Sequence, residues 1–224
     1  MLVLRFIIAI LVGYLLGSIP SGLIAGRVAG VDVRRTGSGK TGATNVLRSA
    51  GWKAGLLVAA ADALKGAIPV LLVQHVLGIG KGIDLTAAGW MAACAGLAAI
   101  AGHNYPIYVG FKGGRGVATT GGMGLALALP PTLLTAIFFV IPVAVTRYVS
   151  LGSMIGVTAL PFLYLGYAKV TQPGHVLIGA NLAYFTALFI AAVAIDVSHH
   201  DNIQRILNGT ERKLGERAQP LPAK

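Results

Sequence analysis

The sequence is poor in charge, and most of what it has is of one sign: 11% of the 224 residues are charged, 7 acidic against 18 basic. Set against 55% hydrophobic residues, this leaves too little polar surface to coat a soluble globule, so lipid is the expected solvent. The single cysteine, Cys94, sits in an apolar stretch, which excludes an internal disulfide and a cysteine metal site. There is also no internal repeat, no low-complexity linker and no soluble domain.

What is present is a series of apolar runs at 4–24, 54–77, 85–101, 117–145, 149–167 and 176–196. Pro130 and Pro131 divide the fourth into two short spans, so the total is seven. Backbone polar groups in lipid must be bonded internally, which makes each span a helix. The first run is too long for a signal h-region and is read as a retained helix. The fold expected is an all-α polytopic membrane protein with seven transmembrane helices.

The net charge of +11 would suggest nucleic acid in a soluble protein, but the basic residues fall between or after apolar runs, as in cytoplasmic loops beside anionic headgroups. Arg27, Arg34, Arg35, Lys40, Arg48 and Lys53 follow span one, Lys112 and Arg115 follow span three, and Arg147 follows span five. The other side has only Arg5, Lys81 and Lys169. This bias predicts an N-terminus outside and a C-terminus in the cytoplasm. A membrane unit at 1–198 with cytoplasmic loops at 25–53 and 102–117, followed by a basic tail at 199–224, is the expected organisation.

The loop from Asp32 to Asn45 packs glycines, hydroxyls and arginines together, a composition suited to phosphate. Glycines let backbone N–H groups converge on an anion, and arginine offers a planar fork. Its Gly39-Lys40-Thr41 lacks the leading glycine of a nucleotide P-loop and any preceding soluble strand. The stretch His103-Asn104-Tyr105-Pro106, then Phe111-Lys112-Gly113-Gly114-Arg115-Gly116, leads straight into an apolar run, so a helix N-terminus behind a glycine nest is a second anion site. In the tail, Ile203, Ile206 and Leu207 share one face of an interfacial helix. The adjacent His199 and His200 point differently and make a poor metal pair. Asp62 and Lys65, three apart in span two, can meet on one helix face. His75 and His175 lie near the outer face and read as structural.

Together, Gly17-Ser18-Ile19-Pro20-Ser21, the Gly-Ser-Gly-x-x-Gly-Ala-Thr-Asn-Val loop at 37–46, the 101–119 stretch and the tail from Asn202-Ile203 to Gly209-Thr210-Glu211 resemble one family, the bacterial acyl-phosphate:glycerol-3-phosphate acyltransferases of the PlsY type. The resemblance also takes in Asp62-x-x-Lys65-Gly66 and 147–151. It implies a multi-pass enzyme of the bacterial inner membrane with a cytoplasmic active site, acting in phospholipid biosynthesis. Its products would be lysophosphatidic acid and phosphate. Ser21, Arg34, Lys112, His199 and Asn202 would lie around the glycerol 3-phosphate, and Glu211 matches a tail position of functional weight. Gly37, Ser38, Gly39, Thr41, Gly42, Ala43, Thr44 and Asn45 would surround phosphate groups. So would Gly113, Gly114, Arg115, Gly116 and Thr119, with Lys65, His103 and Ser150 as further substrate contacts. No metal or cofactor is implied. The partners would be glycerol 3-phosphate, acyl phosphate, membrane lipids and the enzyme that makes acyl phosphate, with no nucleic acid. Lys40 stands where the family usually has Asn, His200 where Arg is usual, and Arg115 where Lys is common.

No histidine here has an aspartate five positions on, the pairing used by acyltransferases that take acyl-CoA or acyl carrier protein, and no Ser-His-Asp set is evident. An acyl phosphate already has a good leaving group, so direct attack by a hydroxyl without an acyl-enzyme is the expected chemistry. The proton is left to His199 or to the substrate phosphate. An organic-phosphate transporter and a subunit that recruits anionic lipids are the competing readings.

Overall fold

The computed structural model describes residues 1–78 and 82–220. Lys81, expected on the outer side, and Lys224 of the basic tail lie outside the described residues. Apart from one bridge between Thr36 and Pro220, regular structure among the described residues is helical.

The first apolar run is two helices, α1 (Leu2–Gly17) and α2 (Ser21–Val28), separated at Pro20, which has no N–H to continue the ladder. The loop that follows ends in α3 (Ala43–Ala50), and α4 (Trp52–Leu72) runs on into a π-turn at Val73–Gly78. α5 (Leu85–Asn104) is capped by Asp84, whose Oδ1 accepts from Ala87 N at 2.9 Å. The remaining helices are α6 (Val117–Leu127), α7 (Leu129–Thr146), α8 (Val149–Thr171), α9 (Ala180–Ser198) and α10 (His200–Leu207).

Among the described residues, six helical segments are long and apolar enough to cross a membrane. The exception among the apolar helices is α6, whose 11 residues reach about 17 Å, roughly half the hydrocarbon core. The chain from 117 to 145 breaks at Ala128 and not at its prolines. Pro130 and Pro131 instead sit in the first turn of α7, where a missing N–H costs no helical bond. As a result α7 keeps 18 residues and is not a short span.

Small residues let these helices approach closely, as expected where lipid gives no hydrophobic drive between helices. A Cβ on Gly17 of α1 would lie 2.1 Å from the Ala99 carbonyl oxygen of α5, and one on Gly122 of α6 would lie 1.8 Å from that of Ala63 in α4. The interior is correspondingly rich in alanine, with Ala92, Ala95, Ala99, Ala183 and Ala191 fully buried. Leu56, Leu57, Leu133, Ile141 and Phe162 are exposed on the outside, facing what would be lipid. The bundle thereby gathers three segments at one end: the 29–42 loop, the 105–116 loop and the tail.

Candidate active site

A cavity of about 340 Å³ opens where those segments meet. Its wall includes five cationic side chains, Lys40, Arg48, Arg115, Arg205 and Arg212, against two carboxylates, Asp62 and Glu211. Gly42, Ala43 and Thr44 bring the N-terminus of α3 to the cavity, and Gly116, Val117 and Ala118 bring that of α6. First-turn N–H groups have no intrahelical acceptor, so two helix ends and five cations favour an anion here. Ala59, Phe139 and Val149 supply an apolar side.

The loop before α3 is held by Asn45. Its Nδ2 donates to the carbonyls of Val33 (2.8 Å), Lys40 (2.9 Å) and Thr36 (3.1 Å), while its Oδ1 accepts from Ser38 N at 3.0 Å. Asn45 is buried, so this amide shapes the loop from the cavity wall, beside Ser38 and Lys40. The tail then straps the same loop. Gly37 N donates to the Gln219 carbonyl at 2.8 Å, and Arg212 Nη2 donates to the Gly37 carbonyl at 3.2 Å. Arg48 Nη2 donates to the Arg212 carbonyl at 3.0 Å. Burial pushes the Arg48 guanidinium below its ordinary value, a cost that a bound anion would offset.

The second loop is packed around His103. A Cβ on Gly114 would lie 2.0 Å from His103 Nε2 and one on Gly113 would lie 2.0 Å from the His103 carbonyl oxygen, so both glycines are needed for close approach. Gly116 does need its left-handed backbone, with φ 81° at the start of α6. Arg115 Nη2 donates to both oxygens of Asp201 at 2.6 and 2.7 Å, and its Nε donates to the Ser198 carbonyl at 3.0 Å. This fork ties the loop to α10, a geometry that an ammonium would not reproduce. Burial pushes the Asp201 carboxyl up, but Arg115 and Arg205 outweigh it and hold the group below its ordinary range.

His199 is buried, and its Nδ1 lies 2.8 Å from the Ile195 carbonyl oxygen. That contact requires the proton on Nδ1 and leaves Nε2 as an acceptor in the neutral ring. Burial, with Arg115 adding to it, lowers the pKa and favours that neutral form. Glu211 is the junction of the tail. Its Oε1 accepts from Ser150 Oγ at 2.8 Å and Asn202 Nδ2 at 2.7 Å, and its Oε2 from Arg205 Nε at 2.8 Å. Across the cavity, Asp62 Oδ1 accepts from Ser21 Oγ and lies 2.8 Å from Lys65 Nζ. Lys65 Nζ also donates to the Ile19 carbonyl at 3.0 Å, so the ion pair fixes the break between α1 and α2.

Of the residues singled out in the sequence, Ser38, Gly42, Ala43, Thr44, Asn45, His103, Arg115, Gly116, Ser150, His199, Asn202 and Glu211 line one cavity, as does Lys40. Ser21 and Lys65 reach its wall through Asp62. Gly37, Gly39, Thr41, Gly113, Gly114 and Thr119 lie outside the lining. So do Arg34 and Lys112, which are exposed, with Arg34 Nε 3.3 Å from Asp32. Arg48, Arg205 and Arg212 were taken as topogenic or tail charge and prove to be cavity residues. A signal was available for each: Arg48 is one helical turn beyond Thr44, Arg205 one turn beyond Asp201, and Arg212 follows Glu211. Among the described residues no three His, Cys, Asp or Glu side chains converge as a metal site needs.

A family model of glycerol-3-phosphate acyltransferases matches residues 7–209. Similar proteins include the glycerol-3-phosphate acyltransferase of Clostridioides difficile, 40% identical over 97% of this chain and 99% of that protein. That of Thermus thermophilus is 41% identical over 94% of this chain and 96% of its own. Among solved structures, the integral membrane glycerol 3-phosphate acyltransferase PlsY in its glycerol 3-phosphate form superposes with a TM-score of 0.79 at 33% identity, covering 94% of this chain and 96% of that one. Its lysophosphatidic acid form gives 0.77 at 32%, covering 94% and 95%. With the fold, the anion cavity and the loop motifs in agreement over nearly the whole chain, this multi-pass membrane protein belongs to the glycerol-3-phosphate acyltransferase family.

Proposed function

We propose that the chain transfers a fatty acyl group from acyl phosphate to the sn-1 hydroxyl of glycerol 3-phosphate, giving lysophosphatidic acid and phosphate at the cytoplasmic face of a bacterial inner membrane. The observation that carries this reading is a cavity that brings together two helix N-termini, five cations and apolar side chains. Two phosphate groups and one acyl chain are the chemistry such a cavity accommodates. Holding both substrates there makes the transfer effectively intramolecular, and the cations stabilise charge growing on the carbonyl and phosphate oxygens. Among the described residues no lining serine is paired with a histidine: Ser150 donates to Glu211, Ser153 to the Val149 carbonyl, and Ser38 Oγ accepts from Lys40 N. Direct attack on a mixed anhydride needs no such pair. In the net reaction the proton of the hydroxyl leaves with phosphate, released as hydrogen phosphate. Exposed Arg34 and Lys112 attract the anionic substrates to this end of the bundle. The excess of lysine and arginine in the loops at this end supports a cytoplasmic cavity and an N-terminus outside. The enzyme that makes acyl phosphate supplies the donor.

The test is purified chain in mild detergent with palmitoyl phosphate and radiolabelled glycerol 3-phosphate, palmitoyl-CoA in parallel. Lysophosphatidic acid and phosphate are expected from palmitoyl phosphate alone. Product only from palmitoyl-CoA overturns the donor assignment, and no product from folded protein in lipid turns the reading to an organic-phosphate transporter.

A further inference from the structure

α8 and α10 each line two separate spaces. Ser150 and Ser153, with Asn202 and Arg205, line the anion cavity. Leu151, Ile155, Thr158 and Phe162, with Ile203 and Leu207, line a groove of about 600 Å³ that shares no residue with it. The four α8 positions recur at helical spacing, so the groove follows one face of that helix. From 151 to 162 is about 16 Å of helix, close to the depth of one leaflet of the hydrocarbon core. α8 is itself one of the segments long and apolar enough to cross a membrane, and Phe162 and Leu207 are exposed. What lies against such a face in a bilayer is an acyl chain. Polar chemistry enters the groove at the last turn of α9, where Asp196 is the charged side chain of the wall among the described residues. Its Oδ2 accepts from Thr158 Oγ1 at 2.7 Å, and its Oδ1 is buried with no partner. Among the described residues no cation pairs with it. A carboxylate at the edge of a membrane is costly without a countercharge.

We infer that this groove is a second lipid site, occupied by a phospholipid with an ammonium headgroup: one acyl chain lies along α8, the ammonium sits against the Asp196 carboxylate, and the bound lipid holds α10 over the anion cavity. Charge chooses the occupant. An anionic headgroup without a cation would meet only a carboxylate, whereas an ammonium supplies the missing countercharge and N–H donors. The link to the cavity runs through α10. A helix of eight residues is not stable by itself, so its place depends on what it packs against. On the cavity side Asp201 is tied to Arg115, and Asn202 to Glu211. On the groove side Ile203 and Leu207 are exposed until a chain fills the space. A filled groove therefore favours the arrangement in which Asn202 and Arg205 reach the cavity. The lipid site does not depend on which acyl donor the chain uses.

The experiment uses the full chain in mild detergent, stripped of lipid, with palmitoyl-oleoyl phosphatidylethanolamine or the matching phosphatidylglycerol added back. Retained lipid is read by native mass spectrometry for wild type, for Asp196→Asn and for Ala159→Phe, whose ring fills the groove. Wild type is expected to retain phosphatidylethanolamine in preference to phosphatidylglycerol, Ala159→Phe to lose it, and Asp196→Asn to bind the two alike. Equal retention of both lipids by wild type overturns the headgroup assignment and with it the proposal. Undiminished retention by Ala159→Phe overturns the site. Turnover is then measured with palmitoyl phosphate and labelled glycerol 3-phosphate. Phosphatidylethanolamine is expected to raise the wild-type rate about fivefold or more, and Ala159→Phe to keep the lipid-free rate with or without it. An equal rise in both proteins is a bulk effect of lipid and overturns the coupling, as does retention with no rise. If Ala159→Phe does not fold, Ala159→Leu takes its place under the same expectations. Should palmitoyl phosphate give no product from any of the proteins, the donor reading fails, and retention, which is read without turnover, still decides the lipid site.

Discussion

Two buried polar networks sit at opposite ends of the bundle and differ in kind. Away from the cavity, Tyr164 Oη donates to Asn181 Oδ1 at 2.8 Å, and Asn181 Nδ2 donates to Gln172 Oε1 at 3.0 Å and to the His175 carbonyl at 2.8 Å. These groups are neutral, and none of their side-chain atoms is buried without a partner. At the cavity end the network includes charged guanidinium groups. Arg48 Nε, His103 Nδ1, Asn202 Oδ1 and Arg205 Nη2 are all buried there with no partner among the described residues. A closed neutral network fastens a fold, whereas an open charged one is complete only with a ligand. The same bundle uses one to hold α8 to α9 and leaves the other open at the cavity.

That contrast can be broken most severely at Glu211, where one carboxylate serves Ser150, Asn202 and Arg205. Glu211→Ala leaves Ser150 Oγ and Asn202 Nδ2 without their acceptor, while Arg205 keeps Asp201 at 3.1 Å, and is expected to cost about 1–3 kcal/mol for each stranded donor, read as a lower thermal midpoint in detergent, with loss of lysophosphatidic acid. A smaller effect on folding but a clear one on chemistry is expected from Gly114→Ala. The added methyl falls 2.0 Å from His103 Nε2, so the ring must move from the cavity wall. A displacement of that order is expected to lower kcat by about 10²-fold. Asn181→Ala should do the reverse. Leaving Tyr164 without its acceptor is expected to cost about 1–3 kcal/mol, with kcat per folded molecule unchanged. A fall in kcat there would mean that the two ends are coupled and that the division is wrong.

How much of this was legible beforehand follows the same division. Apolar runs locate the helices because a lipid-facing helix is written in residue type. The break at Ala128 was misplaced onto Pro130 and Pro131, since proline is tolerated in a first turn and the sequence does not say where that turn begins. Glycine density picked out both loops, but the reason for Gly114 is the His103 ring and for Gly113 the His103 carbonyl, which no local pattern reveals. Arg48, Arg205 and Arg212 were hidden in plain charge counts, because membership of a cavity depends on how α3 and the tail fold over it. Asp62 and Lys65 were visible as a pair three residues apart, but the cavity beside them depends on how α4 packs against α5 and α6. Arg34 had the right chemistry for an anion, yet Asp32 two residues away claims its Nε.

The smallest expected effect is also the one that separates the two networks by charge alone. His199 titrates below its ordinary value of 6.5 because burial, reinforced by Arg115, opposes the cation, although the Ile195 carbonyl acts the other way. The unfolded chain therefore binds more protons than the folded one between the lowered pKa and 6.5. Stability contributed by neutral His199 is complete above 6.5 and is lost as the pH falls from there toward the folded value. Below that value both states are protonated and the loss stops growing. The loss is confined to that window. Thermal midpoints of wild type and His199→Gln, taken from pH 8 to pH 5, should converge as the pH falls, because only the wild type has this group to titrate. Asn181→Ala, at the neutral end, should shift the midpoint by the same amount at every pH. Parallel curves for wild type and His199→Gln would mean that His199 is not held neutral, and its Nε2 would then be no acceptor in the cavity.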